Sequence, residues 1–410
     1  MAEELAVWLY GQIVATIESE RRRLRLRYTP EALERYPGGS PLLSLRLPVS
    51  AAQFGSDAVR PFLDGLLPEG ESRRTIAEDL QLRADDTFGL VRALGRDCAG
   101  AIVIQPAKEA TPPPSTVAAA DPLSDDELAR LIANLRTVPL GAGGRVRISL
   151  AGVQEKLLLT RLPDGRWGRP VDGTPSTHIL KPEIRGYPDT VNNEAFCMRL
   201  ARHLELPVAD VETIKVDGKA LIVVSRYDRL VGADGQVERI HQEDLCQATG
   251  VPPARKYQQD GGPTLRTLAG ILTATDPDSL PNLLRAVVLH VLVGNGDAHG
   301  KNFSLLHTLS GAVRLAPLYD VMSTLYYDDD RLAMYVDDAR RTDRVTTDRI
   351  LNEANSWGIA RKAAAEIAGD LLARVPAAVE RALSQTPGVP ERIQRIVAPH
   401  LDRLQKSPDI

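Results

Sequence analysis

The period of the apolar positions changes along the chain, and these changes divide it. Near the start, VWLYGQIVATIE reads as two short strands around a glycine turn. RLRLRYTP alternates arginine with leucine at period two, which predicts a strand whose arginines form the wet face. VRPFLDGLLPEGESRRTIAEDL predicts a turn followed by a helix, and CAGAIVIQP a closing strand. Residues 106–122, PAKEATPPPSTVAAADP, have no periodicity and read as an extended linker. Ser124 and Glu127 stand three apart before an apolar run, the spacing of a capping box that opens a helix. Strand-like runs (KLLLT, THILKP, ALIVVSRYD) then surround one helical pattern, NNEAFCMRLARHL. After about Leu265 helical spacing takes over. LPNLLRAVVLHVLV is the most apolar segment, and WGIARKAAAEIAGDLLARVPAAVERAL is a long helical tail. The expected organisation is α+β: an N-terminal α/β subdomain over 1–105, a linker over 106–122, a strand-rich lobe over 123–265 and a helical lobe over 266–410.

Composition narrows the class. A chain of 410 residues is too long for one ordinary core. With 43% hydrophobic and 25% charged residues it has the balance of a soluble globular protein. No apolar run is long enough to span a bilayer, and MAEELAVWLYG lacks the pattern of a secretory leader. The expectation is therefore a cytoplasmic protein with no membrane partner. Cys98, Cys197 and Cys246 are far apart and odd in number, which fits a reducing compartment and neither a disulfide framework nor a zinc site. The net charge of −4 argues against strong autonomous binding to nucleic acid.

The candidate chemistry sits in VLVGNGDAHGKNFSLL, which gathers Asp297, His299, Lys301 and Asn302 between two apolar runs. By itself such a string is equally well explained as a solvated loop. A strand lysine such as Lys181 in HILKP usually snorkels, and an aspartate such as Asp320 in RLAPLYDVMST usually turns or caps. In this order, in lobes of these compositions, the pieces fit phosphoryl transfer, which is mostly positioning and electrostatics. Asp297 and Asn302 are five apart, like the Asp and Asn of a kinase catalytic loop. Asp297 would accept the proton, and Asn302 and Asp320 would offer hard oxygens to Mg²⁺. Burying the Lys181 ammonium requires an anion, and Glu194 in the following helix is the candidate partner.

SLAGVQEKLLL, HILKP, VSRYDR, HQEDLCQATG, NGDAHGKNFS and LYDVMS, in this order, resemble the successive motifs of HipA-type toxin kinases. These are serine/threonine protein kinases of bacterial toxin–antitoxin modules. VWLYG, FLDGLLPEG and GRDCAGAI are similar to the subdomain that precedes their kinase core. The resemblance implies a two-lobed protein-kinase-like fold and an ATP- and Mg²⁺-dependent activity. It implies that Asp297 is the catalytic residue and that Asn302 and Asp320 hold the metal. Lys181 would contact the ATP phosphates, Ser225, Arg226 and Tyr227 would form the hinge, and His299, Lys301 and Tyr319 would line the nucleotide site. Ala151, Gly152, Val153, Gln154, Glu155 and Lys156 would cover the phosphates, although this stretch is no GxGxxG loop. Ser149 matches the autophosphorylated serine. A phosphate there adds roughly −1.5 to −2 charges, so repulsion by ATP, or capture by Arg145 or Arg147, would withdraw the loop. The implied partners are a small helix-turn-helix, HipB-like antitoxin, operator DNA mainly through it, and a protein substrate, with an aminoacyl-tRNA synthetase among the expected targets.

The chain departs from the family at two places. Hinges of the VERFDR kind carry an acid where Ser225 stands, so backbone hydrogen bonds rather than that side chain would meet adenine. The stretch TLYYDDDRLAMYVDDARRTDR is unusually acidic and reads as a surface loop or as a segment tuning partner or substrate. Trp8, Trp167 and Trp357 read as packing anchors, His178 and His241 as structural, and Arg21–Arg23 as a solvated face. Two rival readings remain at this point: a small-molecule kinase on the same scaffold, and a non-catalytic nucleotide-binding corepressor.

Overall fold

The computed structural model describes residues 3–135, 155–308 and 311–406. The period-two start forms the antiparallel strands Glu4–Leu9, Gln12–Glu20 and Arg23–Tyr28. Val103–Pro106 closes against the first of these, giving a four-stranded sheet. Leu24, Leu26 and Tyr28 are buried while Arg23 and Arg27 are exposed, as the alternation predicts. The next segment differs from the expected turn and helix, because it forms two helices, Ser56–Leu66 and Gly70–Asp79. Val59, Phe62, Leu63 and Leu66 recur on one buried face, and their burial outweighs the cost of Pro61 inside the first helix.

Residues 106–122 are extended but docked. Val117 N donates to Gly235 O at 2.9 Å, and Val237 N donates to Ser115 O at 2.6 Å. Asp121–Pro122 then joins the edge of a six-stranded antiparallel sheet by pairing with Trp167–Arg169. The other strands of that sheet are Leu157–Arg161, His178–Pro182, Val211–Val216 and Lys219–Ser225. The capping box of Ser124 and Glu127 opens the helix Asp125–Ala133, which covers one sheet face.

The helix Thr190–His203 packs on the opposite face, through Ile222 and Val224, and joins one apolar cluster that continues to Leu404. That cluster includes the helices Leu265–Thr275, Leu280–Val293, Thr347–Ser356, Arg361–Gln385 and Glu391–Gln405. The lobe is not purely helical as expected. Ser304–His307 and Val313–Leu315 form a sheet with His241–Asp244, and Arg331–Val336 pairs with Ala339–Arg341. This hairpin also corrects the expected acidic surface loop: Leu332, Ala333, Met334 and Val336 point into the core. The aspartates just before it are met by arginines, Asp328 by Arg392, Asp329 by Arg331 and Asp330 by Arg341.

The N-terminal subdomain is fastened to the rest by buried polar contacts. Ser44 Oγ and Leu45 N donate to Glu243 at 2.6 and 2.9 Å, and Gln247 Nε2 donates to Phe62 O at 2.8 Å. Gly65 passes so near that a Cβ there would stand 2.4 Å from the Gln247 side chain. Deeper in, Asp97 accepts from Ser176 and Arg229 and pairs with Arg226, and Asp228 accepts from the Arg226 fork and from Gly100 N. The three cysteines are buried and free. No helix among the described residues is long and apolar enough to cross a membrane.

Candidate active site

The strand lobe, the helical lobe and the N-terminal subdomain enclose a cavity of about 630 Å³. Its size suits a small-molecule ligand. Ile179, Ala209, Val224 and Met322 give it an apolar side; Lys156, Lys181, Lys256 and Lys301 bring cations to it.

Lys181 reaches the cavity from the strand His178–Pro182. Its Nζ donates to Glu194 Oε1 and to Asp320 Oδ1, each at 2.7 Å. Glu194 is therefore the partner that the buried strand lysine required. Burial alone would favour the neutral amine, but the Asp320 and Glu194 carboxylates outweigh it and hold the proton on Lys181. Asp320 sits in the left-handed region, φ +58°, a conformation Asp tolerates better than most residues and one that concentrates at functional sites. Burial raises its carboxyl, and the Lys181 ammonium more than reverses this, to about 2. Its side chain keeps 40% of its surface open towards the cavity. It is thus an ionised, accessible oxygen donor. Burial, then repulsion from Lys181, brings Lys156 down to about 8.

The loop 294–302 owes its shape to the end of the helix Leu280–Val293. Gly294 caps it at φ +63° and donates to His290 O and Val291 O. Asn295 then accepts from Asp297 N through Oδ1 at 3.0 Å, and Gly296 N donates to Thr324 Oγ1 at 2.8 Å. A Cβ on Gly296 would fall 2.1 Å from Arg331 O, so only glycine fits between Asn295 and Asp297. Asn302 Nδ2 donates to Asp297 O at 3.1 Å, which leaves its amide oxygen as the group to offer a ligand. Burial raises the Asp297 carboxyl above the usual range; the Tyr257 hydroxyl, 2.8 Å from Oδ1, pulls it back, and Asp320 pushes it up again.

Every expected site residue within the described part lines this one cavity: Glu155, Lys156, Lys181, Ser225, Arg226, Tyr227, Asp297, His299, Lys301, Asn302, Tyr319 and Asp320. Ser149, Ala151, Gly152, Val153 and Gln154 lie outside the described residues. Several roles shift in detail. The Arg226 guanidinium lies behind the expected hinge, on Asp228, Ser176 and Cys98 O. Ser225 N and Arg226 N already donate to Asp210 O and Thr177 O, so those two hinge amides are not available to adenine. Lys301 Nζ donates to Asp244 Oδ2 at 2.5 Å and to Gly65 O at 3.2 Å, tying the loop to the N-terminal subdomain. Tyr319 hydrogen-bonds Lys301 O and Ser304 Oγ, each at 2.7 Å, and its ring lies against Tyr227 with centroids 5.7 Å apart. Burial, then the charge of Lys256, holds His299 neutral, at about 3. Glu69, Lys256 and Tyr257 also line the cavity and were not anticipated.

No cluster of three or more His, Cys, Asp or Glu side chains able to hold a metal occurs among the described residues. Asp320 and the Asn302 oxygen nevertheless fit Mg²⁺, which keeps most of its shell as water and phosphate.

Comparison with known proteins bears on the family and the fold. Residues 148–379 match the HipA-like C-terminal domain and residues 5–105 the HipA N-terminal domain. The Sinorhizobium fredii protein Y4mE is 42% identical over 334 residues, covering 79% of this chain and 78% of that protein. The serine/threonine-protein kinase toxin HipA of Shewanella oneidensis is 31% identical over 368 residues, 85% of this chain and 83% of that one. A solved complex of Shewanella oneidensis HipA with HipB and operator DNA superposes with a TM-score of 0.82 at 26% identity, over 97% of this chain and 95% of that one. With a two-lobed, kinase-like fold and both characteristic domains in place, the chain belongs to the HipA family.

Proposed function

We propose that this protein is an ATP- and Mg²⁺-dependent serine/threonine protein kinase and the toxin of a toxin–antitoxin module. The observation that carries the reading is the convergence of Lys181, Asp297, Asn302 and Asp320 on one cavity. The kinase toxin of Shewanella oneidensis, similar over most of the chain, supports it.

Mg²⁺-bound ATP would supply the phosphoryl group and its charge compensation. Lys181, held charged by its two carboxylates, would hold a phosphate oxygen. Asp320 and Asn302 would hold the metal by hard oxygens. Asp297, its proton affinity raised by burial, would orient the acceptor hydroxyl and take up its proton. Water exclusion falls to the walls shared by the three parts, where Glu155 and Lys156 line the cavity.

By the same reading Ser149 is autophosphorylated, the physiological acceptor is a protein such as an aminoacyl-tRNA synthetase, and a HipB-like antitoxin carries the contact with operator DNA. The likeness to the solved HipA–HipB–DNA assembly supports the antitoxin partner. The test is intact-mass analysis after incubation with ATP and Mg²⁺. Wild type should gain one phosphate, mapped to Ser149; Asp297→Asn, or wild type with EDTA, should gain none. A wild type that phosphorylates metabolites but no protein would establish the small-molecule reading instead. Full cellular toxicity of Asp297→Asn would favour the corepressor.

A further inference from the structure

The loop 253–262 carries no motif, yet it delivers Tyr257 to the reaction centre. The Tyr257 hydroxyl donates to Asp297 Oδ1 at 2.8 Å. The phenol is held from several directions. Its ring stands edge-on to His299, with centroids 5.2 Å apart at 87°. Lys256 Nζ lies 5.8 Å from the ring centroid and 3.2 Å from Glu69 Oε2, an anchor in the N-terminal subdomain. Gly300 N, within the catalytic loop, donates to Lys256 O at 3.1 Å. Gly262 N donates to Tyr257 O at 2.9 Å, and a Cβ on Gly262 would lie 2.3 Å from Arg255 O, which fixes the turn.

A carboxylate that acts on a substrate hydroxyl has two oxygens and can rotate between them. Rotation costs catalysis, because reaction needs the acceptor hydroxyl in one geometry. The Tyr257 donor removes that freedom. We infer that Tyr257 is a positioning residue for phosphoryl transfer: it occupies Oδ1 of Asp297, fixes the carboxylate plane, and leaves Oδ2 to meet the serine or threonine hydroxyl. In that step the hydroxyl oxygen bonds the terminal phosphorus of ATP, its proton passes to Oδ2, and the bond from that phosphorus to the ADP oxygen breaks. The tie from Tyr257 through Lys256 to Glu69 makes the N-terminal subdomain part of the catalytic geometry. This inference rests on the kinase reading above.

The test compares full-length wild type with Tyr257→Phe, which keeps the ring contacts and removes only the hydroxyl. Phosphate incorporation into the chain itself and into proteins of a bacterial lysate is followed across ATP concentrations. ATP affinity is measured by calorimetry, and the crystal structure of the variant shows the Asp297 rotamer. The limiting rate should fall about tenfold, as the carboxylate loses its single productive orientation. Half-saturating ATP and calorimetric affinity should stay within about twofold, since no nucleotide contact is removed. The Asp297 carboxylate should adopt a new rotation, with the melting temperature unchanged. A variant with the wild-type limiting rate, or one whose loss tracks a fall in melting temperature, overturns the inference and leaves the kinase reading standing. A wild type inert towards every acceptor sinks the kinase reading itself, and this inference with it.

Discussion

Lys181 Nζ lies 2.7 Å from Asp320 Oδ1, although 139 residues separate the two along the chain. One belongs to the strand lobe and the other follows the loop 294–302, so this contact spans the cleft. Glu194 completes the arrangement from the helix beneath, with a side chain only 3% exposed. The three groups form one charge unit, in which the ammonium keeps both carboxylates soluble in the protein interior.

Removing the cation should therefore have two separable effects. In Lys181→Met, Glu194 is left buried without a counter-charge, which costs about 3–5 kcal/mol when a buried pair is broken. Phosphorylation should fall by at least ~100-fold through loss of a preorganised cation. In the double variant Lys181→Met/Glu194→Gln the melting temperature should recover most of its loss, while phosphorylation should not. Thermal denaturation and intact mass read the two effects. A double variant no more stable than the single one would refute the account of Glu194.

Lys301 makes a contrasting case. The family resemblance implied a nucleotide contact, but its Nζ is engaged by Asp244 and Gly65 O, and Glu69 Oε1 lies 3.9 Å away. Lys301→Met should cost stability of about 3 kcal/mol by stranding Asp244. Its ATP affinity should fall much less than that of Lys181→Met. Urea denaturation and ATP titration check this pair of expectations. An unchanged stability with lost ATP binding would return Lys301 to the nucleotide site.

The contrast marks what sequence reveals here. Lys181 was legible because a strand of apolar neighbours buries it, so an anion had to be near and the next helix held one. The capping box of Ser124 and Glu127 was legible because its physics is local. Lys301 was half legible: the loop puts it at the cavity, but its partners Asp244 and Gly65 come from other units. Tyr257 was not legible, because PARKYQQDGG reads as a turn and its hydroxyl meets Asp297 40 residues away. The acidic hairpin misled through composition. The aspartates beside it are neutralised in part by an arginine remote in sequence, Arg392, and the alternation inside RLAMYV was the better guide. Asp97 and Glu243, which decide how the N-terminal subdomain attaches, stand in the motifs GRDCAGAI and HQEDLCQATG, but their role was not legible there, since each is satisfied by groups more than 60 residues away.

That attachment carries a pH dependence through His241. Its Nε2 meets Leu43 O at 2.9 Å, its Nδ1 has no hydrogen-bond partner among the described residues, and its ring lies 5.0 Å from that of His307. Burial, then the neighbouring His307, depresses its pKa from 6.5 to about 3. In the unfolded chain the imidazole takes a proton near pH 6.5. Between there and about 3 the unfolded state binds more protons than the folded one, so stability is complete above pH 6.5 and falls as pH falls. From pH 7 to 5 this one group should remove about 2 kcal/mol. His241→Gln cannot titrate, so its urea-denaturation free energy should decline less steeply over the same interval, whatever its value at pH 7. Hydrogen exchange in wild type at pH 5 should show amides of the N-terminal subdomain opening before those of the helical lobe. Parallel slopes for the two proteins would mean that the acid sensitivity of the fold lies elsewhere.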